Sequence, residues 1–331
     1  MRGSACGSAR RTAPAERQGR GGVSMRRFGL LLAFVLVVVS LAHAQVQQPP
    51  ADSPPLQQGR GEAVGEIAFH SDRDGDVEIY TMRTDGSELR RLTYQPGLDS
   101  LPSWSPDGNR IAFCSSRDGN IEIYVVDVDG SGLVRLTDNS WMDLAPTWSA
   151  DGRRVAFHAR PVRERGSDIY VIGADGSGLT RLTEHPAQDE FTAWSPTGQR
   201  IAFQTERDGD FEIYVMSPDG GNLENLTRHP ARDKFPAWSP DGQRIAFLSD
   251  RDGNYELYSM HNDGTDVRRL TDHPAEDAHP SWSPDGRYIA FESDRDGPWD
   301  IYVMNADGTG VRNITNHPAN DGPPRWKGRS R

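Results

Sequence analysis

Six aspartates recur at one offset in the 331-residue chain: Asp99, Asp143, Asp189, Asp233, Asp277 and Asp321, each five residues before a tryptophan. Carboxylates converging on a shared opening attract cations, so the series can hold Ca²⁺ or receive a basic peptide. The alternative gives each Asp to its own turn, or to the arginine of an adjacent Arg-Asp-Gly segment (Arg73, Arg117, Arg207, Arg251, Arg295). A second series lies nine residues before the same tryptophans: Gln95, Asn139, His185, His229, His273 and His317. Imidazoles and an amide around one opening are donor types that suit a transition metal. The competing role is a turn side chain bonded to backbone. Even recurrence favours that role, because an active site should break the symmetry.

Other residues do break it. One unit carries a two-residue insertion, and its Arg-Asp-Gly segment is rewritten as Arg160-Pro161-Val162-Arg163-Glu164-Arg165. Trp141-Met142 stands where other units have Ala-x. A tryptophan beside Arg160, Arg163 and Arg165 on a loop tip suits a binding anchor; local packing of the insertion is the other reading. Phe191 and Phe235, three before their tryptophans, extend an apolar strip. The acidic positions Glu78, Glu122, Asp168, Glu212, Glu256 and Asp300 invite a catalytic reading, but six-fold recurrence points to pairing between units.

These positions are set by a repeat. An Ile/Val-Ala-Phe triplet occurs at 67–69, 111–113, 155–157, 201–203, 245–247 and 289–291, with spacings of 44, 44, 46, 44 and 44. Each unit holds four short apolar runs between Pro-Asp-Gly, Arg-Asp-Gly and x-Asp-Gly clusters, which supply the positive φ of tight hairpins. No run has a 3.6-residue period over helical length. Four antiparallel strands per unit of this length predict a blade, and six units predict an all-β, six-bladed propeller. The strands are A (around Trp), B (Ile-Ala-Phe), C (acid-Ile-Tyr) and D (Arg-Leu-Thr). The first unit lacks strand A, and an orphan strand A, Pro323-Pro324-Arg325-Trp326, ends the last. That strand is expected to complete the first blade and close the ring, removing open edges.

Lys+Arg number 37 against 48 Asp+Glu, a net charge of -11, which argues against nucleic-acid binding. Two cysteines rule out a disulfide-stapled scaffold. Residues 1–24 read as an unstructured upstream segment. Met25 opens a secretory signal spanning 25–44, with Arg26-Arg27, an apolar run from Phe28 to Ala42, and cleavage expected after Ala44. The Pro/Gln-rich stretch 45–62 reads as a flexible linker, 63–328 as the propeller and 329–331 as a tail. Cleavage takes seven basic residues and one acid, leaving a net charge of -17.

The motif W-S-P-D-G…I-A-F-x-S-D-R-D-G…E-I-Y-V-M resembles the TolB-like propeller repeats, relatives of the WD repeats, over about 265 residues. The resemblance implies a periplasmic or secreted protein that works as a non-catalytic binding scaffold. TolB itself carries an α/β domain ahead of its propeller, whereas here only a tether of about 18 residues is expected between signal and propeller. The expected partner is a protein or peptide, a basic one in the reading that uses the acidic series, engaged at the acidic channel mouth by a monomer. No cofactor is expected except Ca²⁺ there. No stable membrane span is expected after signal cleavage. The enzyme alternative is a metal-dependent polysaccharide lyase or hydrolase resembling the oligogalacturonate lyases, which use a His/Gln-bound metal. No G-x-S-x-G elbow occurs.

Overall fold

The computed structural model describes residues 65–161 and 166–328. The signal, the linker, the tail and residues Arg163 and Arg165 lie outside the described residues. Asp-Gly turns cut the chain into 24 strands in six four-stranded antiparallel sheets. Gly108 (φ 70°) and Gly130 (φ 85°) take the left-handed backbone that these hairpins need. In the A–B turn, Asp107 Oδ1 accepts the Ser105 hydroxyl (2.5 Å) and the Asn109 amide (3.1 Å).

Blade one joins β24 (Asp321–Trp326) to β1 (Glu66–Ser71), β2 (Glu78–Arg83) and β3 (Arg90–Arg91). Blade two holds β4 (Asp99–Trp104), β5 (Arg110–Ser115), β6 (Glu122–Asp127) and β7 (Val134–Arg135). Blade three holds β8 (Met142–Trp148), β9 (Arg154–Arg160), β10 (Asp168–Gly173) and β11 (Thr180–Arg181). Blade four holds β12 (Asp189–Trp194), β13 (Ile201–Thr205), β14 (Glu212–Met216) and β15 (Glu224–Asn225). Blade five holds β16 (Asp233–Trp238), β17 (Arg244–Ser249), β18 (Glu256–His261) and β19 (Arg268–Arg269). Blade six holds β20 (Asp277–Trp282), β21 (Tyr288–Ser293), β22 (Asp300–Asn305) and β23 (Arg312–Asn313). The ring therefore closes as the phase of the repeat predicts. Ile67 pairs with Trp326 and Ser71 with Asp321. Lys327 Nζ meets Glu66 at 2.8 Å.

The Ile/Val-Ala-Phe triplets are fully buried. Each Phe packs on the strand C tyrosine of its own blade, with centroids 5.7 Å apart for Phe291–Tyr302 and 6.1 Å for Phe203–Tyr214. The clusters cross blade boundaries. Phe69 and Tyr80 share one with Ile301 and Val303 of blade six. No blade thus completes its own core, and burying each such Phe stabilises two blades by about 1.5–3 kcal/mol. Tryptophan indoles sew the joints. Trp148 Nε1 donates to the Ser103 carbonyl (3.2 Å) and Trp238 Nε1 to the Ala193 carbonyl (3.1 Å), each in the preceding blade.

Strand D is two residues long in every blade, which leaves little outer edge for another sheet to pair with. One exposed aliphatic precedes it each time: Leu89, Leu133, Leu179, Leu223, Val267 and Val311. Trp299, just before β22, is partly buried and packs against the blade-six cluster. Among the described residues no helix is long and apolar enough to cross a membrane.

Candidate functional site

The six aspartates start strand A, but they do not form an open ring of charge. Asp99 is 1% exposed and the other five are 0% exposed. Five lie under the arginine of their own B–C loop: Arg73–Asp321 (2.7 Å), Arg117–Asp99 (2.6 Å), Arg207–Asp189 (2.9 Å), Arg251–Asp233 (3.0 Å) and Arg295–Asp277 (2.6 Å). Each arginine is fixed three ways. In blade five Nε donates to Ser249 Oγ (2.9 Å), Nη2 to Asp233, and the guanidinium lies 5.4 Å from the Phe247 and 4.8 Å from the Tyr258 ring centroid. Burial still pushes the Asp233 and Asp321 carboxyls above the usual range, against the pull of their arginines. The expectation of cation-attracting carboxylates is corrected on geometry: all six are buried, and the charge of five is answered by an arginine inside the protein.

Blade three lacks this clamp. Pro161 and Ala159 stand where the arginine and its serine stand elsewhere. Trp141, expected as an exposed anchor, is half-buried and packs on Tyr170 at 5.2 Å. Its indole covers the tyrosine that the guanidinium covers in the other blades. Asp143 keeps one partner, Asn139 Nδ2 at 2.7 Å, and its Oδ1 has none. Burial, with Glu122 nearby, pushes this carboxyl up to about 7. Arg160 is exposed at the end of β9.

The histidine series is not brought together. His185, His229, His273 and His317 sit one per blade. In each, Nδ1 accepts the amide two residues on, at 3.1 to 3.2 Å. Asn139 Oδ1 does the same for Trp141 (2.6 Å). Among the described residues no three His, Cys, Asp or Glu side chains converge to hold a metal. Gln95 is exposed in the corresponding turn of blade one. The acidic strand C residues pair within a blade, not between blades as expected. Glu78 meets Arg91 (2.5 Å), Glu122 meets Arg135 (3.0 Å) and Glu256 meets Arg269 (2.8 Å). In blade six Asn313 Nδ2 takes the arginine's place, donating to Asp300 (2.9 Å).

The residues that break symmetry meet in the channel. In blades two to six strand A bulges against strand B between its second and fifth residues. The third residue takes positive φ: Leu101 (55°), Ala145 (51°), Phe191 (50°), Phe235 (53°) and His279 (50°). Such backbone costs about 1–3 kcal/mol per residue and here aims the side chain at the axis. Strand B of the preceding blade receives several freed amides, Leu101 on His70 Nδ1 (3.5 Å), Phe191 on His158 Nδ1 (3.4 Å) and Phe235 on Gln204 Oε1 (3.1 Å). Burial pulls His70 down to about 4 and His158 down to about 3, so both are neutral acceptors.

A cavity of about 230 Å³ is lined by the third to sixth residues of strand A and by Pro106 of an A–B turn. It therefore lies toward the A–B/C–D face, away from the aspartates. Phe235 stacks on His279 (3.8 Å, 30°), and Phe191 meets Phe235 edge-on (4.6 Å, 86°). His279 Nδ1 lies 2.7 Å from Glu292 Oε1 and its Nε2 is buried without a partner. Arg325 completes the lining. Sequence reasoning passed over His279, Glu292 and Arg325 because each occupies a position with no repeat consensus. That departure was itself the available signal. A groove of about 430 Å³ between blades five and six has its charges paired internally, Arg244 to Asp266 at 2.9 Å and Arg269 to Glu256 at 2.8 Å.

Residues 61–160 and 229–330 match the model of the TolB beta propeller domain. The chain belongs to this family. Residues 162–256, which overlap the second stretch, match the Tricorn protease N-terminal beta propeller domain. Single-repeat segments resemble two curated proteins. One is an "Uncharacterized peptidase YuxL" of Bacillus subtilis, 52% identical over 46 residues, covering 14% of this chain and 7% of that protein. The other is a "Protein TolB homolog" of Chlorobium luteolum, 43% identical over 47 residues, covering 14% of this chain and 11% of that protein. Among solved structures, TolB from Acinetobacter baumannii superposes with a TM-score of 0.71 at 22% identity, covering 80% of this chain and 67% of that one. That likeness shows the TolB propeller fold.

Proposed function

We propose that this TolB-family propeller is a non-catalytic binding module of the cell envelope, exported by the Met25 signal, and that it engages a protein or peptide at its channel. One observation carries the reading. The third and fifth residues of strand A follow no repeat consensus, and they bring Phe191, Phe235, His279 and Arg325 around one cavity, with Glu292 bonded to His279. Departures concentrated at a concave, partly aromatic site mark recognition. The cavity is smaller than the roughly 300–1,000 Å³ of ordinary small-molecule sites, so it suits one residue of a partner rather than an oligosaccharide. The likeness to a TolB homolog supports a protein partner.

The test is in-cell crosslinking with Phe235→Glu, which places a charge in the aromatic wall. Loss of the partner bands seen with the parent chain is the expected result. An unchanged set of bands, with the variant folded, sinks the channel as the binding site. An Arg160→Glu variant run beside it asks whether the blade-three lip takes part.

A further inference from the structure

We infer that the channel cavity is a carboxylate site, in which Arg325 holds the carboxylate of a ligand whose apolar body lies against Phe191 and Phe235. The inference deepens the proposed function, since it names the chemistry that the channel selects. It also reverses the charge expected from the acidic series: the feature offered to a partner here is a cation.

Three observations converge. First, the Arg325 guanidinium makes one described hydrogen bond, from Nη1 to the Pro324 carbonyl (3.1 Å), and no ion pair among the described residues. The contrast with Arg73, Arg117, Arg207, Arg251 and Arg295, all bound to aspartate, is plain. Burial pulls Arg325 down to about 10, against the raising effect of Glu292, yet it remains a cation at neutral pH. A half-buried guanidinium without a counter-ion offers its planar fork to an incoming carboxylate.

Second, His279 lines the same cavity, is 4% exposed, and has an unpartnered Nε2. Its Nδ1 is engaged by Glu292, so Nε2 is the ring atom left for a ligand. Glu292 acts on Arg325 only through its field, forming no ion pair with it among the described residues, and its Oε1 is held by His279. Its Oε2 lies against Gly322, where a Cβ would stand 1.9 Å away. Glycine at 322 is thus what admits the Glu292 carboxylate at the seam between blades six and one.

Third, the wall beside these groups is aromatic and already ordered. Phe191, Phe235 and His279 hold one another at 4.6 to 5.8 Å, with Phe235 and His279 at 3.8 Å. The bulge fixes their backbones. A preformed apolar wall with one cation at its edge fits a terminal apolar residue bearing a free carboxylate.

The experiment uses the intact protein and the fluorescence of the channel tryptophans. The probes are N-acetyl-phenylalanine, its primary amide, and a tetrapeptide ending in Phe with a free or an amidated C-terminus. The acid forms should bind at least about tenfold more tightly than their amides, one charge-assisted pair being worth about 1.5–3 kcal/mol. Arg325→Gln should abolish that preference and Arg325→Lys should restore part of it. The Trp104 indole bonds the Arg325 backbone carbonyl (3.1 Å), a contact that both variants keep, and matched melting temperatures verify the fold. Tighter binding of the peptide acid than of N-acetyl-phenylalanine assigns the carboxylate to a chain terminus; equal affinities assign it to a small organic acid. Equal binding of acid and amide, or no binding of either, overturns the inference. Crosslinks lost on Phe235→Glu would in that case still support the binding module.

Discussion

In blade five Asp233 lies under Arg251, whose guanidinium also covers Phe247 and Tyr258. In blade three Asp143 lies beside Asn139, and the Trp141 indole covers Tyr170. Both blades bury a carboxylate at the start of strand A, and both cover the tyrosine of strand C. Blade five does so with one arginine. Blade three uses two residues of the preceding D–A loop, and one carboxylate oxygen is left without a partner. The difference shows that the repeat conserves an arrangement rather than a residue. It also shows that losing the cation leaves a titratable group inside the fold.

The comparison breaks most severely at the arginine. Arg251→Ala should cost about 3–5 kcal/mol, because it leaves the Asp233 charge buried and unanswered. Denaturant midpoints measure this, and a loss under about 1 kcal/mol would show that the clamp is dispensable. The same variant should acquire a stability that falls with rising pH, as argued next for blade three.

Trp141→Ala tests the substitute cover. A buried Trp→Ala change costs about 3–5 kcal/mol; Trp141 is half-buried, so roughly 2 kcal/mol is expected. No loss would mean that Tyr170 needs no cover.

Asp143→Asn sharpens the electrostatic half. The folded carboxyl titrates near 7 against 3.8 in the unfolded chain, so folding favours the protonated form. The stability this provides is complete below about pH 4 and is lost as pH rises through 7. An amide does not titrate there. The variant's advantage over the parent chain should therefore grow from pH 4 to pH 8. An advantage that stays constant across that window would place the Asp143 charge elsewhere.

The smallest effect is expected at the rim. Leu133→Ser removes one exposed aliphatic before strand D and should change stability by less than about 0.5 kcal/mol. A larger loss would mean that the aliphatic ring belongs to the core of the blade.

The fold was legible because its signals recur. Six Ile/Val-Ala-Phe triplets and six tryptophans at near-constant spacing leave one arrangement that buries them all, and the phase of the last strand A specifies the closure. The Asp–Arg pairing was legible as one of two alternatives, since both residues recur together. The channel was not legible. Its variable lining comes from strand A positions three and five, backed by strand B position four, and none of these positions holds one residue type through the six units. Alternation along an ideal strand would not aim Phe191 and His279 as they are, because the bulge shifts the register. Trp141 was misplaced for a related reason. Its neighbours in sequence suggested a loop tip, while the vacancy left by Pro161 drew the indole inward.

The pairing of β24 with β1 has a consequence for the order in which the protein is made. Residue 67 waits for residue 326 before its inner edge is covered. Bringing ends so far apart together adds little entropy cost, since that cost rises only with the logarithm of the loop length. The delay matters more than the cost. Until the final strand emerges during synthesis, five blades stand complete and the first exposes a bare strand to any neighbouring chain. A product truncated before residue 321 would keep most of its buried surface and still be the species most prone to aggregate.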